Sequence, residues 1–230
     1  MANPYLAWSL SDDFSIYINP SSVWSYGYKN DVAGPLTLFT HLQPETSNKS
    51  IYAWFEAGVS WETGGHWLGV YYNTKTTNTN IGYPYKQNIT FPPHGVGMSP
   101  EYDGKYSVAR FTAPMDGIYS LTATFIHICI DSNVINAHTN GQIIHNDLDS
   151  LFYTDIFGMG DAKLYNSDKS INLKANDTID FIVGVGSDNF LGDMTNVNAY
   201  IRLLQKNATT GINSTTIIGS MVGIAIGVAL

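Results

Sequence analysis

Apolar and polar side chains alternate along much of the chain, most clearly between Arg110 and Phe125. After residues 114–117, every second position is apolar and the positions between are serine or threonine, with Tyr119, Leu121, Ala123 and Phe125 on the apolar side. A period of two predicts a strand with one buried face. Pro114 presets one backbone φ and Gly117 tolerates a positive φ, so the residues before this strand predict a tight turn.

The same alternation predicts about ten short strands and no convincing amphipathic helix. Turn signals separate these strands roughly every 8 to 12 residues. The predicted strands are 12–18, 23–28, 36–42, 50–55, 67–72, 106–110, 117–125, 141–145, 170–183 and 197–203, with 87–91 as a further candidate; residues 133–139 are predicted as a turn. Residues 74–80 and 92–103 are predicted as loops. Residues 146–164 are ambiguous, with either a strand at 151–157 or a short helical turn.

This succession of short strands predicts an all-β fold. Antiparallel pairing in two packed sheets is the economical arrangement for such a chain. A jelly-roll-like β-sandwich is the favoured topology because it manages the sheet edges. The sandwich is expected to occupy residues 1–204, followed by a polar linker at 205–216 and an apolar segment at 217–230.

Composition and charge restrict the classes of function. Charged residues make up only 13% of the chain, and the net charge is −8. Low charge with abundant tyrosine, asparagine and threonine is typical of a strand-rich extracellular or surface protein. No basic patch is visible, so nucleic acid is not an expected partner. Cys129 is the single cysteine, which excludes a disulfide within the chain, and its apolar neighbours predict a small buried side chain.

The C-terminal segment 217–230 is uncharged and nearly all apolar. Gly219, Gly223 and Gly227 recur every four residues, which is the small-residue pattern of helices that pack in membranes. Fourteen residues are fewer than the about 20 that a spanning helix needs. We therefore predict a short apolar helix that is a truncated transmembrane segment; a lipid-anchor signal or an assembly strand are the alternatives.

Two further features bear on localisation at the cell surface. No signal peptide is evident at the N-terminus, so an extracellular location would require an upstream part that is missing or was removed. Asn-x-Ser/Thr sequons predict glycosylation, and they occur at Asn48, Asn88, Asn176, Asn207 and Asn213.

Three segments resemble a known group of proteins. Residues 13–28, 110–119 and 175–195 resemble, in this order, the opening, central and closing motifs of exported bacterial surface proteins, many with exosortase-type sorting tails. This resemblance implies a β-sandwich of the carbohydrate-binding-module type. The central and closing segments also resemble complement-type globular heads and tumour-necrosis-factor-like trimers, which implies a jelly roll as well. An apolar tail in place of a sorting signal departs from the first group.

A carbohydrate site requires exposed aromatic rings beside polar side chains, because a sugar presents C–H faces as well as hydroxyl groups. The glycine-rich segment 56–66 and the loop around residue 84 provide such residues. The candidate ligand-binding residues are Trp61, Glu62, His66, Trp67, Tyr83 and Tyr85. Aromatic residues more often fill a core, which is the alternative interpretation.

Aspartates near both ends of the sandwich indicate a possible structural calcium site. Asp12 and Asp13 lie at the start of the predicted first strand, and Asp188 and Asp193 precede the last. First and last strands are commonly neighbours in a jelly roll, and calcium is bound by about 6 to 8 oxygens. Turn capping by the same aspartates is the alternative.

Catalysis is not expected from the motifs. The chain contains no nucleophile elbow, metalloprotease helix, phosphate loop or dinucleotide fingerprint. Glu56 and Glu62 are a conceivable glycosidase pair, although solvated loop residues are the simpler interpretation. The sequence therefore favours a non-catalytic surface module that binds carbohydrate or another surface ligand and is held by a C-terminal membrane segment. The alternative is a structural protein that assembles with copies of itself, as a trimer or filament, through its apolar tail.

Overall fold

The computed structural model describes residues 6–45, 47–56, 67–82, 87–131, 137–167, 170–188 and 191–206. These ranges contain eighteen strands and no helix. The strands are β1 Ala7–Ser9, β2 Trp24–Lys29, β3 Thr37–Leu38, β4 His41–Pro44, β5 Ile51–Phe55, β6 Gly69–Asn73, β7 Thr79–Gly82, β8 Gln87–Phe91, β9 Val96–Ser99, β10 Tyr106–Thr112, β11 Gly117–His127, β12 Cys129–Asp131, β13 His138–His145, β14 Asp149–Phe157, β15 Ala162–Asn166, β16 Ile171–Leu173, β17 Thr178–Val185 and β18 Thr195–Lys206.

The strands form three antiparallel sheets. The first sheet has the order β15-β11-β18-β9-β6-β5-β4, with β1 beside β18 and β16 beside β11; the second has the order β14-β13-β17-β10-β2-β3. The small third sheet is β12-β8-β7. The first two sheets enclose the main core, so the predicted all-β antiparallel sandwich is confirmed. The number of strands exceeds the predicted ten because several predicted strands are divided and others were missed.

The longest pairing joins β11 and β18, which are neighbours in the first sheet. Tyr119, Leu121 and Phe125 all point into the core, as the alternating pattern predicted. From the second sheet, Phe111 and Phe181 pack into the same core cluster. Burial of these large apolar side chains supplies the main stabilisation of the sandwich.

The outer face of the first sheet is also buried at one end, where the third sheet covers it. This second cluster contains Phe55 and Tyr71 of the first sheet together with Ile89 and Phe91 of the third. Cys129 belongs to the same cluster and is buried, as predicted.

The predicted strand at 12–18 is wrong. The first strand is β1, and the residues after it form turns and bends. The Ser15 hydroxyl accepts the backbone N–H groups of Tyr17 and Ile18, at 3.2 and 3.1 Å, and such local bonds compete with strand pairing. Tyr17 is 84% exposed, whereas Phe14 stacks on Tyr26 with 4.4 Å between ring centroids.

The predicted loop at 92–103 is also wrong in part, because it contains β9, which pairs with β6 and β18. Gly97 has no side chain, so β9 lacks the alternation that predicts a strand. The glycine is required by packing, because a Cβ at this position would lie 2.4 Å from the Phe91 ring. In the ambiguous region 146–164, the structure has strands β14 and β15 and no helical turn. β13 begins at His138, inside the predicted turn 133–139, and the predicted strand 36–42 is divided into β3 and β4.

Gly141 on β13 illustrates how closely the two sheets approach. A Cβ at this position would lie 2.8 Å from the Phe125 ring of the opposite sheet. We expect Gly141→Ala to lower the free energy of unfolding by about 1 to 3 kcal/mol, because the packed core must shift. Urea denaturation measures this change. Gly82→Ala on β7 is the matched control, since nothing lies within 4 Å of its Cβ position; equal effects of both changes would contradict this packing.

The second sheet carries a buried charge network on its outer face. Lys29 is fully buried, and its Nζ lies 2.6 Å from Asp180 Oδ2, also fully buried. Arg110 Nε donates to Asp180 Oδ1 at 2.6 Å. Asp147, in the turn between β13 and β14, pairs with both cations. The network joins three strands and one turn around the fully buried pair of Lys29 and Asp180.

Candidate functional site

Two aromatic side chains are exposed on β14, the edge strand of the second sheet. Tyr153 is 58% exposed and Phe157 is 56% exposed. Asp155 lies between them, and the period of two places all three side chains on the same face of the strand. We call the group Tyr153, Asp155, Phe157, His138 and Ser187 the edge-strand site.

His138 organises the edge-strand site from the neighbouring strand β13. It pairs with Phe157 across the strands, and the two rings stack with 4.4 Å between centroids and 9° between planes. Its Nε2 donates to Asp155 Oδ1 at 2.9 Å, and the Tyr153 hydroxyl donates to the same oxygen at 3.0 Å. Its Nδ1 accepts the backbone N–H of Ser187 at 2.7 Å. The carboxylate and both rings are thus held in fixed orientations.

The Tyr153 hydroxyl is a donor at neutral pH. Partial burial and the interactions with Asp155 raise the pKa of Tyr153, so the phenol keeps its proton. Two donors therefore hold Oδ1 of the Asp155 carboxylate. No described residue donates a hydrogen bond to Oδ2, so that oxygen is available to a ligand hydroxyl.

Polar side chains on the same face of the second sheet flank the edge-strand site. Gln142 Nε2 donates to Asn140 Oδ1 at 2.9 Å, and Asn140 Nδ2 donates to the Val185 carbonyl at 2.6 Å. The Tyr106 ring packs over Gly184, where a Cβ would lie only 2.5 Å from that ring. These contacts tie β13, β17 and β10 together beside the exposed rings.

Ser187, His138 and Asp155 are connected in the order of a hydrolase triad, but the geometry favours positioning over catalysis. Ser187 Oγ lies 2.7 Å from His138 Nδ1, the nitrogen that would have to take its proton. That nitrogen already accepts the Ser187 backbone N–H. A base with its lone pair engaged in this way is poorly placed to activate the hydroxyl.

A second candidate is a small pocket between the third sheet and residues 191–194. It is partly open to solvent, and its wall includes Trp67, Ser99, Cys129 and Asp193. Asp193 is 1% exposed, and neither carboxyl oxygen has a hydrogen-bond partner. Burial, and to a lesser extent Asp188, raise the pKa of Asp193 to about 9. Asp193 is therefore a neutral carboxylic acid at neutral pH.

His127 lies near this pocket at the end of β11 and is also uncharged. Burial lowers the pKa of His127, against the opposing influence of the backbone of Gly192 and of Asp161 and Asp188. Neither ring nitrogen makes a hydrogen bond of ordinary geometry. The pocket wall therefore presents a neutral acid with unsatisfied oxygens, and a water molecule is the simplest partner for it.

The ligand-binding residues predicted from sequence are only partly described. Trp61, Glu62, His66, Tyr83 and Tyr85 lie outside the described residues. Trp67 is half-buried, packs on the second cluster and lines the Asp193 pocket. Its backbone carbonyl accepts the Tyr71 hydroxyl at 2.7 Å. The ligand site predicted from sequence stays a prediction. Trp67 lines a pocket and is not the exposed aromatic ring that a sugar-stacking site requires.

The calcium site also stays a prediction. The described residues contain no group of three or more His, Cys, Asp or Glu side chains that could hold a metal. Asp13 Oδ2 accepts the Ser9 backbone N–H at 2.9 Å, as a turn-capping aspartate does. After burial, the charge of Asp12 helps to raise the pKa of Tyr72, whereas the charge of Asp188 helps to raise the pKa of Asp193. β1 does pair with β18, but β1 is Ala7–Ser9 and the predicted first strand at 12–18 is not formed.

The remaining predicted residues can be placed as follows. Asn88 and Asn176 are exposed and Asn48 is half-buried, while Asn207 and Asn213 lie outside the described residues. Of the conceivable glycosidase pair, Glu56 accepts the Tyr28 hydroxyl at 2.9 Å and Glu62 is not described. Strand β18 continues to Lys206, two residues beyond the domain boundary suggested by the sequence. Within the described ranges, the structure has no helix with the length and apolar character needed to cross a bilayer.

Comparisons with known proteins give similarity at the level of structure. The chain matches no protein-family model and no curated protein sequence. It is similar to the family 51 carbohydrate-binding module of a Clostridium perfringens protein in complex with methyl-galactose, with 12% identity, a TM-score of 0.36 and coverage of 62% of this chain and 94% of that one. A family 35 module from Clostridium thermocellum gives 15% identity, a TM-score of 0.28 and coverage of 54% and 82%. A family 36 module of a xylanase from the hindgut metagenome of Trinervitermes trinervoides gives 15% identity, a TM-score of 0.29 and coverage of 58% of this chain and 94% of that one.

All three structures are carbohydrate-binding modules, which is the class that the sequence motifs resemble. The comparisons give no support for the exported, exosortase-sorted type. Because every TM-score is below 0.5, this similarity carries no argument about ligand or activity. Those questions depend on the geometry of the sites described above.

Proposed function

We propose that the chain is a non-catalytic binding module for carbohydrate and that the ligand lies on the edge-strand site. The observation that carries this proposal is the pair of exposed rings, Tyr153 and Phe157, on either side of a carboxylate held by two fixed donors. An aromatic face packs against the C–H face of a sugar ring, and the free carboxylate oxygen accepts a sugar hydroxyl.

The shallow form of the site sets the expected strength of binding. Each aromatic contact contributes about 0.5 to 1.5 kcal/mol beyond its burial, and association itself opposes binding. A dissociation constant between about 1 mM and about 10 μM is the result that we expect. Binding of this strength suits a module that acts at a surface carrying many copies of its ligand.

The cellular location of this module is proposed from its amino-acid sequence. We place it outside the cell, held at a membrane by residues 217–230, with glycans on exposed sequons such as Asn88 and Asn176. The low content of charged residues and the glycine spacing in the tail support this arrangement. The proposal includes calcium only as a structural ion, bound by the aspartates at positions 12, 13, 188 and 193.

A glycan array and isothermal titration calorimetry test the ligand site. In the full-length chain, Tyr153→Ala combined with Phe157→Ala is expected to weaken binding of an array-positive glycan at least tenfold, because both stacking surfaces are removed. Tyr17→Ala is the matched control, since this tyrosine is the more exposed one and belongs to the turn after β1. Thermal melting of each variant shows that the fold is retained.

The opposite result would place the ligand elsewhere. If Trp67→Ala abolished binding and the double variant did not, the sequence-based site would be the binding site. A second candidate function is a self-assembling surface protein, and the exposed side chains of Leu148 and Leu164 near the same sheet edges favour it. No array signal together with stable trimers in light scattering would support that alternative.

A further inference from the structure

The two exposed rings of the edge-strand site are too far apart to hold one sugar. Tyr153 and Phe157 are four residues apart on one strand, so their Cα atoms are about 13 Å apart at about 3.3 Å per residue. Asp155 lies midway between them. A monosaccharide can contact one ring, whereas about three linked sugar units are needed to contact both rings and the central carboxylate.

The position of β14 allows a long ligand. β14 is the last strand of the second sheet and is paired on one side with β13. The two rings stand along this open edge and not within an enclosed pocket. Since His138 covers one face of Phe157, the other face of that ring is the surface available for stacking. A linear chain can therefore run parallel to β14 without meeting another strand of the described sheet.

The charges at the edge-strand site restrict the chemistry of this ligand. Asp155 is the central polar group, and Asp188 Oδ2 accepts the His138 backbone N–H at 3.2 Å beside it. Among the described residues, no lysine or arginine is ion-paired with either carboxylate. Lys163 is engaged with Asp161 at 2.9 Å. A sugar that bears a carboxylate would meet like charges here.

We infer that the ligand is a linear oligosaccharide of at least three sugar units, free of carboxylate groups, that lies along β14. This inference rests on the proposed function and specifies the class of ligand for the same site. Tyr153 and Phe157 stack on the two outer sugars, and Asp155 binds a hydroxyl of the sugar between them. Both aromatic contacts are made together only when the chain is long enough.

Calorimetry with oligosaccharides of increasing length tests this inference. The probes are glucose to cellotetraose, xylose to xylotetraose and mannose to mannotetraose, each titrated into the full-length chain. In at least one series, affinity is expected to rise at least tenfold from the monosaccharide to the trisaccharide. Trigalacturonate is expected to bind about fivefold more weakly than the best neutral trisaccharide, because of the carboxylates at the site.

Single variants add a result that a merely structural role would not give. Tyr153→Ala or Phe157→Ala is expected to lower trisaccharide affinity to about that of the monosaccharide, while the monosaccharide still binds at the remaining ring. Equal affinity for monosaccharide and trisaccharide in every series would overturn the inference and leave the proposed function intact. Absence of binding to every glycan on the array would instead defeat the proposed function, and the inference with it.

Discussion

Asp180→Asn is expected to lower the free energy of unfolding by about 3 to 5 kcal/mol, because it leaves a buried cation without its main partner. Lys29 is fully buried, and Asp180 is the fully buried carboxylate beside it. Asparagine keeps the size of the side chain but removes its charge. Asp147 remains as a partner for Lys29, yet its own side chain is 35% exposed and belongs to a turn.

The control for this measurement is Asp149→Asn. Asp149 is 64% exposed and lies 3.4 Å from His145, so its replacement is expected to cost less than about 1 kcal/mol. Urea denaturation of both variants gives the comparison. A loss below about 1 kcal/mol for Asp180→Asn would show that water reaches Lys29 and that the network is not a buried one.

Asp193 is expected to make the protein less stable as the pH rises. In the unfolded chain an aspartate ionises with a pKa near 3.8, whereas burial raises the pKa of Asp193 in the folded chain to about 9. Between these values the folded state binds a proton that the unfolded state has released, so the free energy of unfolding falls with increasing pH. The loss reaches at most about 1.4 kcal/mol per pH unit, or about 4 kcal/mol between pH 5 and pH 8.

Asp193→Asn removes this proton linkage. Its stability relative to the wild type is expected to increase from about pH 5 to about pH 8, as measured by urea denaturation at several pH values. His127 contributes the opposite slope at low pH, because its lowered pKa costs stability once the unfolded histidine becomes protonated. That contribution is present in both proteins and cancels in their difference.

Ser99→Ala is the matched control for the pocket, because it changes the same wall without removing a titratable group. Its pH profile should run parallel to that of the wild type. If Asp193→Asn also ran parallel, Asp193 would be ionised in the folded protein, and a cation or water network would have to stabilise it.

β11 could be predicted from sequence because its side chains alternate without interruption from residue 119 to residue 125. Tyr119, Leu121 and Phe125 encode the buried face directly. β9 was missed since Gly97 carries no side chain that could mark a face. The false strand at 12–18 had the alternation but also Ser15, whose hydroxyl bonds locally to the backbone.

The edge-strand site was missed for a different reason. The run from Leu151 to Phe157 has large apolar residues on both faces, so the pattern does not tell which face is exposed. Ser187 is 49 positions from His138 in sequence, and the pairing of β13 with β17 brings them together. The one available signal was Asp155 between two aromatic residues at strand spacing, which is unusual for a buried strand.

The pairing of β1 with β18 determines how the module would be presented when tethered. The Leu203 backbone N–H donates to the Leu6 carbonyl at 2.8 Å, so the described chain enters and leaves at one pole of the sandwich. His138 lies at the other pole, toward the beginning of β18, and the twelve residues of β18 extend over about 40 Å. A tether or fusion partner joined beside Leu6 or Leu203 would therefore lie at the opposite end of the sandwich from Phe157, which leaves that ring accessible to glycans on an opposing surface.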